Sequence, residues 1–373
     1  MSSWRLFHIY KTDLDSLILE FAEPFLARHR DRLERCSWER HSAGGPHLRL
    51  RFQAAADVLT ETGDRLQREA EHYLSRYPSP DLADYSEDRA RALLEKEEAT
   101  FDDDDLVYRN NQVVERAYSP VEKGYVSQAA ADFMEDFHHD VTPLATAVLA
   151  DTRPRHETVL RLFFLHAVAA TGDVKAGSVS WKSHWEGFAA TFPSTELLDR
   201  IRGAYAAQKD YIAEQLREVR ERAADGSLDQ DPILKGWYDL VAKYRLYARR
   251  RLSDGHQFTL QPKSREEAAD MRQTMQSHLL RDSSFVKTFW SDDRFLTSIE
   301  NDLAFQVPRI LVNLFYNFIA RVGLSPLDKM VLCHHAQKAV EDAYDCDLQD
   351  LLVSNMQGVV ERSNPSPSGG LAD

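Results

Sequence analysis

The spacing of apolar residues predicts a small β-sheet in the first part of the chain. Alternation of apolar and polar residues is typical of strands, whereas apolar residues that recur every three or four positions are typical of helices. Two of the strand-like segments flank a short loop that contains glycine, as the two arms of a β-hairpin do. The predicted elements of this part are strands 4–10, 36–41 and 47–52 and helices 14–30 and 56–77.

The rest of the chain is predicted to be mostly helical. Residues 78–125 are the least regular, and 107–118 are predicted to supply one or two strands. The predicted helices beyond them are 126–150, 155–171, 194–224, 232–253, 265–281, 296–323 and 326–344. The fold class is therefore α+β, with a small, mostly antiparallel sheet on the N-terminal side and a large helical body. We predict a sheet-containing region at 1–125, a helical body at 126–360 and a disordered, Ser/Pro/Gly-rich tail at 361–373.

One predicted strand has an unusual polar face. After a GGP turn the sequence continues as HLRLRF, and successive side chains of a strand point to opposite faces. Leu48 and Leu50 are therefore expected to enter a core, while His47, Arg49 and Arg51 line the other face. A solvated strand face and a cationic binding site both remain open as interpretations of this row.

The charge balance of the chain limits which ligands such a row could bind. The chain has 373 residues, 28% of them charged, and a formal net charge of −14. General nucleic-acid binding requires a basic surface, so we expect no nucleic-acid partner. A cationic site in an acidic protein must be local, which suits an anionic or carbonyl-rich ligand held at one place.

Cysteine usage and apolar patterning predict a soluble protein of a reducing compartment. Cys36, Cys333 and Cys346 are too few and too scattered for a disulfide framework or a zinc site. The N-terminal segment lacks the features of a signal peptide, and the apolar stretches are too short or too interrupted to span a bilayer. We therefore expect a cytoplasmic protein without a membrane partner.

Known chemical motifs are scarce. The sequence contains no glycine-rich phosphate loop and no GxSxG, HExxH or CxxC motif, so we expect neither a metal nor an organic cofactor. The adjacent pairs His138-His139 and His334-His335 are poorly spaced for chelation, because neighbouring helical residues point about 100° apart. We interpret both pairs as surface histidines.

Two predicted helices carry polar groups on one side. Tyr244, Tyr247 and Arg251 lie on neighbouring helical rows, and ordinary packing of the tyrosines is favoured over an aromatic-cationic ligand face. The apolar segment VPRILVNLFYNFIARVG carries Asn313, Tyr316 and Asn317 at positions i, i+3 and i+4. Such groups in a buried helix need partners, so they form either a satisfied core network or the floor of a polar pocket.

Several of these segments together resemble a known family. WRLFHIY, GGPHLRLRF, YRNNQVVERAYSPVEKGYVSQAAADFMEDF and the asparagine-bearing late helix resemble the lantibiotic-dehydratase C-terminal (SpaB-type) or thiopeptide-type bacteriocin biosynthesis family. The resemblance runs from about residue 4 to about residue 325, and GPHLRLR is its specific part. It implies one of two activities on a ribosomal precursor peptide. One branch eliminates glutamate from glutamylated Ser or Thr, and the thiopeptide pyridine synthases join two dehydroalanines by a formal [4+2] cycloaddition.

The departures from the family pattern favour cyclisation. In the eliminating branch an HxRxR strand, a further arginine and a late-helix histidine handle the glutamyl group and protons. Near Tyr118 the expected arginine is missing and Lys123 is the nearest cation, while Asn313 stands in place of the histidine and Phe318 in place of an arginine after Asn317. Asparagine cannot exchange a proton near neutral pH as histidine does.

The resemblance therefore implies a cofactor-independent pyridine synthase, with macrocyclisation and loss of the leader peptide. The partner is the precursor peptide, with its leader and dehydrated core, and a homodimer stays open. A stand-alone glutamate-eliminating subunit and a non-catalytic peptide-binding relative are the alternatives. The candidate catalytic residues are His47, Arg49, Arg51, Tyr118 and Tyr316. The candidate substrate-binding residues are Lys123, Tyr244, Tyr247, Asn313 and Asn317.

Overall fold

The fold is described from a computed structural model of the chain. The structure describes residues 3–97, 101–118, 127–191, 194–256, 283–290, 292–299 and 302–363. The chain divides into two compact units. The first comprises 1–152, 256–260 and 320–323, and the second comprises 153–255, 261–319 and 324–373. The predicted α+β class is confirmed, whereas the predicted domain boundaries stay a prediction.

A four-stranded antiparallel sheet forms the centre of the first unit. Its strands are β1 Ser3–Tyr10, β2 Arg35–His41, β3 His47–Ala54 and β4 Gln112–Arg116, in the order β2-β3-β1-β4. β2 and β3 form the predicted hairpin, with His41 opposite His47. The central strand β3 therefore has a hydrogen-bonded neighbour on each side, and the row of His47, Arg49 and Arg51 lies in the middle of the sheet.

One face of this sheet is an apolar core, as the alternation predicted. Leu48, Leu50 and Phe52 are completely buried, and the Phe52 ring stacks on Phe7 of β1 with centroids 6.0 Å apart. Burial of each such side chain stabilises the fold by roughly 1.5–3 kcal/mol. The helical elements of the first unit, within the described residues, are Leu14–Ser16, a π-helical stretch Leu17–Ala22, Glu23–His29, Ala56–Arg76, Glu87–Glu97 and Gln128–Ala150, with 3₁₀ helices at Arg30–Arg32 and Asp103–Leu106.

The hairpin loop requires glycine for a steric reason. Gly44 and Gly45 have φ angles of +70° and +109°, a backbone region that other residues adopt only with strain. A Cβ atom on Gly45 would lie 2.5 Å from the carbonyl oxygen of Arg109, and the amide of Arg109 donates to the Gly44 carbonyl at 2.7 Å. The GGP turn thus lets a neighbouring loop pack against the end of the hairpin.

The second unit is helical. Several of its long helices begin with capping residues: Ser325, for example, caps the helix that starts at Pro326 through a capping box with Asp328. Phe163, Trp181, Trp237 and other aromatic residues fill its interior. Its α-helices within the described residues are Arg155–Thr171, Val174–Thr191, Thr195–Asp225, Pro232–Ser253, Ser284–Trp290, Asp293–Ser298, Leu303–Arg321, Pro326–Tyr344 and Leu348–Ser363, and a short 3₁₀ helix is Ser227–Gln230. The last two residues of Leu303–Arg321 belong to the first unit.

Some helices differ from the prediction. The predicted helix 296–323 is wrong at its start, because Asp293–Ser298 and Leu303–Arg321 are separate helices. Helices Glu87–Glu97, Val174–Thr191, Ser284–Trp290 and Leu348–Ser363 were not predicted. The predicted helix 265–281 lies outside the described residues, as do residues 364–373 of the predicted tail.

Among the described residues, one helix is long and apolar enough to cross a membrane. It is Leu303–Arg321, and half of its most apolar stretch is buried inside the protein. A core helix of a soluble protein meets the same criteria, so this observation carries little weight.

Candidate functional site

The polar row of strand β3 is buried rather than solvated. The exposed fractions are 1% for His47, 7% for Arg49 and 0% for Arg51. The interpretation of a solvated strand face is therefore wrong. Burying two guanidinium groups is unfavourable unless partners compensate them, so the surroundings of each side chain indicate how the row is held.

The hydrogen bonds of His47 define its protonation state. Its Nδ1–H donates to the Gly45 carbonyl at 2.9 Å, and its Nε2 accepts from Arg49 Nε at 3.4 Å. Only the neutral tautomer with a proton on Nδ1 satisfies both contacts. Burial lowers the pKa of His47 well below its usual value, and His8, His41 and Arg49 lower it further. A neutral His47 thus orients the guanidinium of Arg49.

Arg51 lies between two carboxylates. Its Nε donates to Glu135 Oε2 at 2.8 Å, and its Nη1 is 3.1 Å from Glu39 Oε1. Although burial opposes the charged form, Glu135 and Glu39 raise the pKa of Arg51 above its usual value. Neither Nη1 nor Nη2 has a hydrogen-bond partner among the described residues, so the contact between Nη1 and Glu39 is an ion pair.

Tyr118 joins the row through Glu135. The hydroxyl of Tyr118 donates to Glu135 Oε1, so the two oxygens of this buried carboxylate bind Tyr118 and Arg51. The Tyr118 ring lies 5.3 Å from the Arg51 guanidinium carbon, and Trp4 contacts it edge-on at 5.3 Å. Burial, with a contribution from Glu135, raises the pKa of Tyr118 above its usual value, so the hydroxyl is protonated at neutral pH.

Arg321 extends the buried network and was missed by the sequence analysis. It is 2% exposed, and its guanidinium donates to the Trp38 carbonyl and to His138 Nδ1. Its Nη2 lies 4.0 Å from Glu39 Oε2, so Glu39 lies between Arg321 and Arg51. The prediction that His138 is a surface histidine is wrong, because it is 2% exposed and bound to this guanidinium.

Signals for the missed residues were present in the sequence. Arg321 is a charged residue at the end of an otherwise apolar segment. Glu135 lies on one helical stripe with Ala131, His138 and Thr142, all of which are buried. A charged residue on the buried stripe of an amphipathic helix indicates a compensated internal charge.

Tyr316 lies in the second unit, with a thiol, an imidazole and an ammonium group beside it. Its hydroxyl is 3.5 Å from Cys333 Sγ, the ring of His184 contacts it at 4.7 Å, and the ammonium of Lys329 lies 4.6 Å from its ring centroid. Burial raises the pKa of Tyr316 well above its usual value and raises that of Cys333 to about 12. Burial also lowers the pKa of Lys329.

A cavity of about 1020 Å³ lies in the second unit, and Asn313 is part of its wall. Four phenylalanines and aliphatic side chains of the second unit make much of this wall apolar, while Arg245, Arg249 and Arg309 contribute positive charge. No Asp or Glu is present among the described residues that line it. Asn313 is exposed and Asn317 is half-buried. Of the two interpretations of this helix, the polar pocket therefore fits Asn313.

The other candidate residues have separate surroundings. Tyr244 is buried, and Tyr247 accepts from Arg251 Nη2 at 3.3 Å beneath the same guanidinium. The packing interpretation of these tyrosines thus fits Tyr244. Lys123 lies outside the described residues.

His334 and His335 are also buried, 6% and 7% exposed, and the prediction that they lie on the surface is wrong. The His334 ring lies 4.3 Å from that of Trp185, and burial lowers its pKa to about 3.

Neither unit offers a metal site in its described parts. No group of three or more His, Cys, Asp or Glu side chains is arranged to hold a metal ion within the described ranges. The described cysteines, Cys36, Cys333 and Cys346, are free thiols.

Comparison with known proteins finds solved structures of the same fold and a family whose model matches most of the chain. A solved structure titled pyridine synthase TbtD, from thiomuracin biosynthesis, has the same fold, with a TM-score of 0.69 and 21% identity, over 92% of this chain and 99% of that one. A crystal structure of TsrL gives a TM-score of 0.65 and 19% identity, over 95% and 99% of the two chains. None of the curated proteins compared with the chain matches it. The family model for the lantibiotic biosynthesis dehydratase C-terminal region matches residues 4–340. The chain belongs to this family.

Proposed function

We propose that the protein is a pyridine synthase that matures a thiopeptide-type precursor. It would join two dehydroalanines of the dehydrated peptide by a formal [4+2] cycloaddition, close a macrocycle and expel the leader peptide. The observation that carries the proposal is a fold shared with a pyridine synthase along nearly the full length of both chains. The buried cationic row of β3 supplies a site with suitable chemistry.

Arg49 is the donor that we assign to the reacting amide. The cycloaddition requires one amide to react as its iminol, and donors at the amide oxygen stabilise the charge that develops there. The bond to neutral His47 fixes the plane of the Arg49 guanidinium before the peptide binds. Arg51 is completely buried and bound to two carboxylates, so we assign it a role behind Arg49 and beside Tyr118.

Tyr118 and Tyr316 are the proposed proton carriers. Tyr118 is protonated and hydrogen-bonded within the network of the first unit. Tyr316 is an alternative carrier in the second unit, where Cys333 is the hydrogen-bonding neighbour of its hydroxyl. General acid–base catalysis by such groups contributes about 10²–10⁴-fold to a rate.

The cavity of the second unit is the proposed site for part of the precursor peptide. Its apolar wall suits aliphatic and aromatic side chains, and its three arginines suit peptide carbonyls or carboxylates. Asn313 adds an amide that can donate and accept on the cavity wall.

The test is incubation of the protein with a dehydrated, azole-bearing precursor, followed by mass spectrometry. We expect a macrocyclic product together with free leader peptide. A parallel incubation with a glutamylated precursor tests the eliminating alternative. Release of glutamate there, without ring formation from the dehydrated precursor, would replace the proposal with glutamate elimination.

Variants of Arg49 connect the activity to the site. Arg49→Ala is expected to slow ring formation about a hundredfold or more, the effect of removing one donor at a developing oxyanion. Arg49→Lys keeps the charge but not the planar fork, so it should restore little of the rate. Arg32→Ala, which removes an exposed arginine of the same unit, is the control and should retain full turnover. Full turnover in Arg49→Ala would remove this residue from the mechanism.

A further inference from the structure

Glu135 is a buried carboxylate whose two oxygens have different partners. It lies on the helix Gln128–Ala150 and is 1% exposed. Oε2 accepts from Arg51 Nε at 2.8 Å, and Oε1 accepts the hydroxyl proton of Tyr118. A carboxylate in the interior is unfavourable unless its lone pairs are satisfied, and these two donors satisfy it from two other elements.

This arrangement fixes the direction of the Tyr118 hydroxyl. A phenol has one proton to donate, and here that proton is given to Glu135. With its proton donated to Glu135, the Tyr118 oxygen can interact with a substrate only as an acceptor. The ring itself is held by Arg51 on its face and Trp4 at its edge, so the oxygen has a defined position.

We propose that Glu135 is a positioning residue that makes Tyr118 a proton acceptor for an amide N–H of the peptide. The inference rests on the proposed function. In the step, the N–H bond of the peptide breaks and a new O–H bond forms on Tyr118, while the original Tyr118 proton moves to Glu135. The electron pair of the N–H bond stays on the peptide, which becomes an iminolate whose oxygen faces the arginine donors.

Arg51 keeps the charges around the buried Glu135 compensated during this proton transfer. Before the transfer its positive charge balances the Glu135 carboxylate, and afterwards Glu39, 3.1 Å from Arg51 Nη1, remains as its counter-charge. The proton returns from Glu135 through Tyr118 to the oxygen of the cyclised adduct, which restores the pair. That oxygen then leaves as water together with one ring proton.

The test compares Glu135→Gln, Tyr118→Phe and the double variant in ring formation, with kcat and KM measured separately. Each single variant is expected to lower kcat about a hundredfold or more and leave KM nearly unchanged, because proton transfer alone is removed. The double variant should be no slower than the slower single one, because both substitutions interrupt the same relay. Glu135→Asp should recover part of the kcat that Glu135→Gln loses.

Tyr118→Phe protects the test against loss of folding. It removes the hydroxyl donor of Glu135 Oε1 but leaves the Arg51–Glu135 ion pair in place, so we expect a folded protein with a modestly lowered thermal midpoint. Full turnover in Tyr118→Phe, or losses of kcat that multiply in the double variant, would overturn the relay.

A spectroscopic readout separates this inference from the proposed function. With isotope-labelled tyrosine, the hydroxyl proton of Tyr118 should give a downfield NMR resonance that Glu135→Gln shifts or removes. If the wild-type protein forms no ring, both the proposed function and the relay are wrong. The resonance still shows whether Tyr118 and Glu135 form a hydrogen bond. If the resonance is unchanged in Glu135→Gln, the pair itself is refuted.

Discussion

Replacing Arg51 by alanine should destabilise the first unit strongly. The variant leaves the carboxylate of Glu135 buried and deprives Glu39 of the same partner. Removing one member of a buried ion pair costs about 3–5 kcal/mol, because the remaining charge is desolvated without compensation. For a unit of this size each kcal/mol lowers the thermal midpoint by roughly 2–4 °C, so a decrease of roughly 6–20 °C is expected.

The exposed pair of Arg32 and Glu61 is a matched control. Its nitrogen–oxygen distance is 2.7 Å, close to the 2.8 Å between Arg51 and Glu135, but its side chains are 44% and 53% exposed. Because solvent screens this pair, Arg32→Ala should leave the midpoint nearly unchanged. The comparison varies burial while the contact distance is kept.

Urea unfolding followed by circular dichroism compares the free energies of unfolding of Arg51→Ala and Arg32→Ala in the transition of the first unit. A lower urea midpoint with an unchanged slope of the unfolding free energy against urea concentration shows a loss of stability alone. Arg51→Leu combined with Glu135→Leu should be more stable than either single variant, because no uncompensated charge then remains between these two positions. Equal, small losses in Arg51→Ala and Arg32→Ala would refute the assignment of Arg51 to a buried charge network.

Two further predictions concern other parts of the fold. Burial lowers the pKa of His166 to about 3, so the unfolded chain takes up a proton on this side chain before the folded chain does as pH falls below about 6.5. Between pH 6.5 and 5 the wild type should lose about 2 kcal/mol more stability than His166→Phe in urea unfolding, and parallel pH curves would contradict this. Gly45→Ala should cost about 1–3 kcal/mol in the same assay, because its φ is +109° and the new Cβ would meet the Arg109 carbonyl. Gly203→Ala, in an open helical position, should instead gain about 0.5–1 kcal/mol, and equal effects would refute the steric explanation.

Local periodicity was sufficient to predict the sheet and one of its faces. The alternation along β3 placed Leu48 and Leu50 in the core correctly, and the GGP turn marked the hairpin. The same alternation could not decide between a solvated and a buried polar face. That outcome depends on Glu135 and Arg321, which are 84 and 270 residues away from Arg51 in sequence (135 − 51 and 321 − 51). Contacts of this range leave no periodic signal on the strand itself.

The unpredicted helix Val174–Thr191 and the misplaced histidines have a common cause. The sequence VKAGSVSWKSHWEGFAAT is rich in small and polar residues, so its amphipathic pattern is weak. The helix is nevertheless part of the core, because Trp181 and Trp185 are buried. His334 packs against Trp185 for the same reason, since a helix with neighbours on several sides buries adjacent positions that periodicity assigns to a surface.

The charge network of the first unit is more informative about function than about stability. It connects Arg321, Glu39, Arg51, Glu135 and Tyr118 in the interior of one compact unit. Apolar residues of similar volume commonly stabilise a core as well as, or better than, buried ion pairs do. A fold that needed only stability would therefore gain nothing from placing two arginines and two glutamates there. What the network does supply is a neutral His47 beside one guanidinium and a phenol with a fixed proton direction beside another, and these are properties that proton transfer at a peptide amide requires.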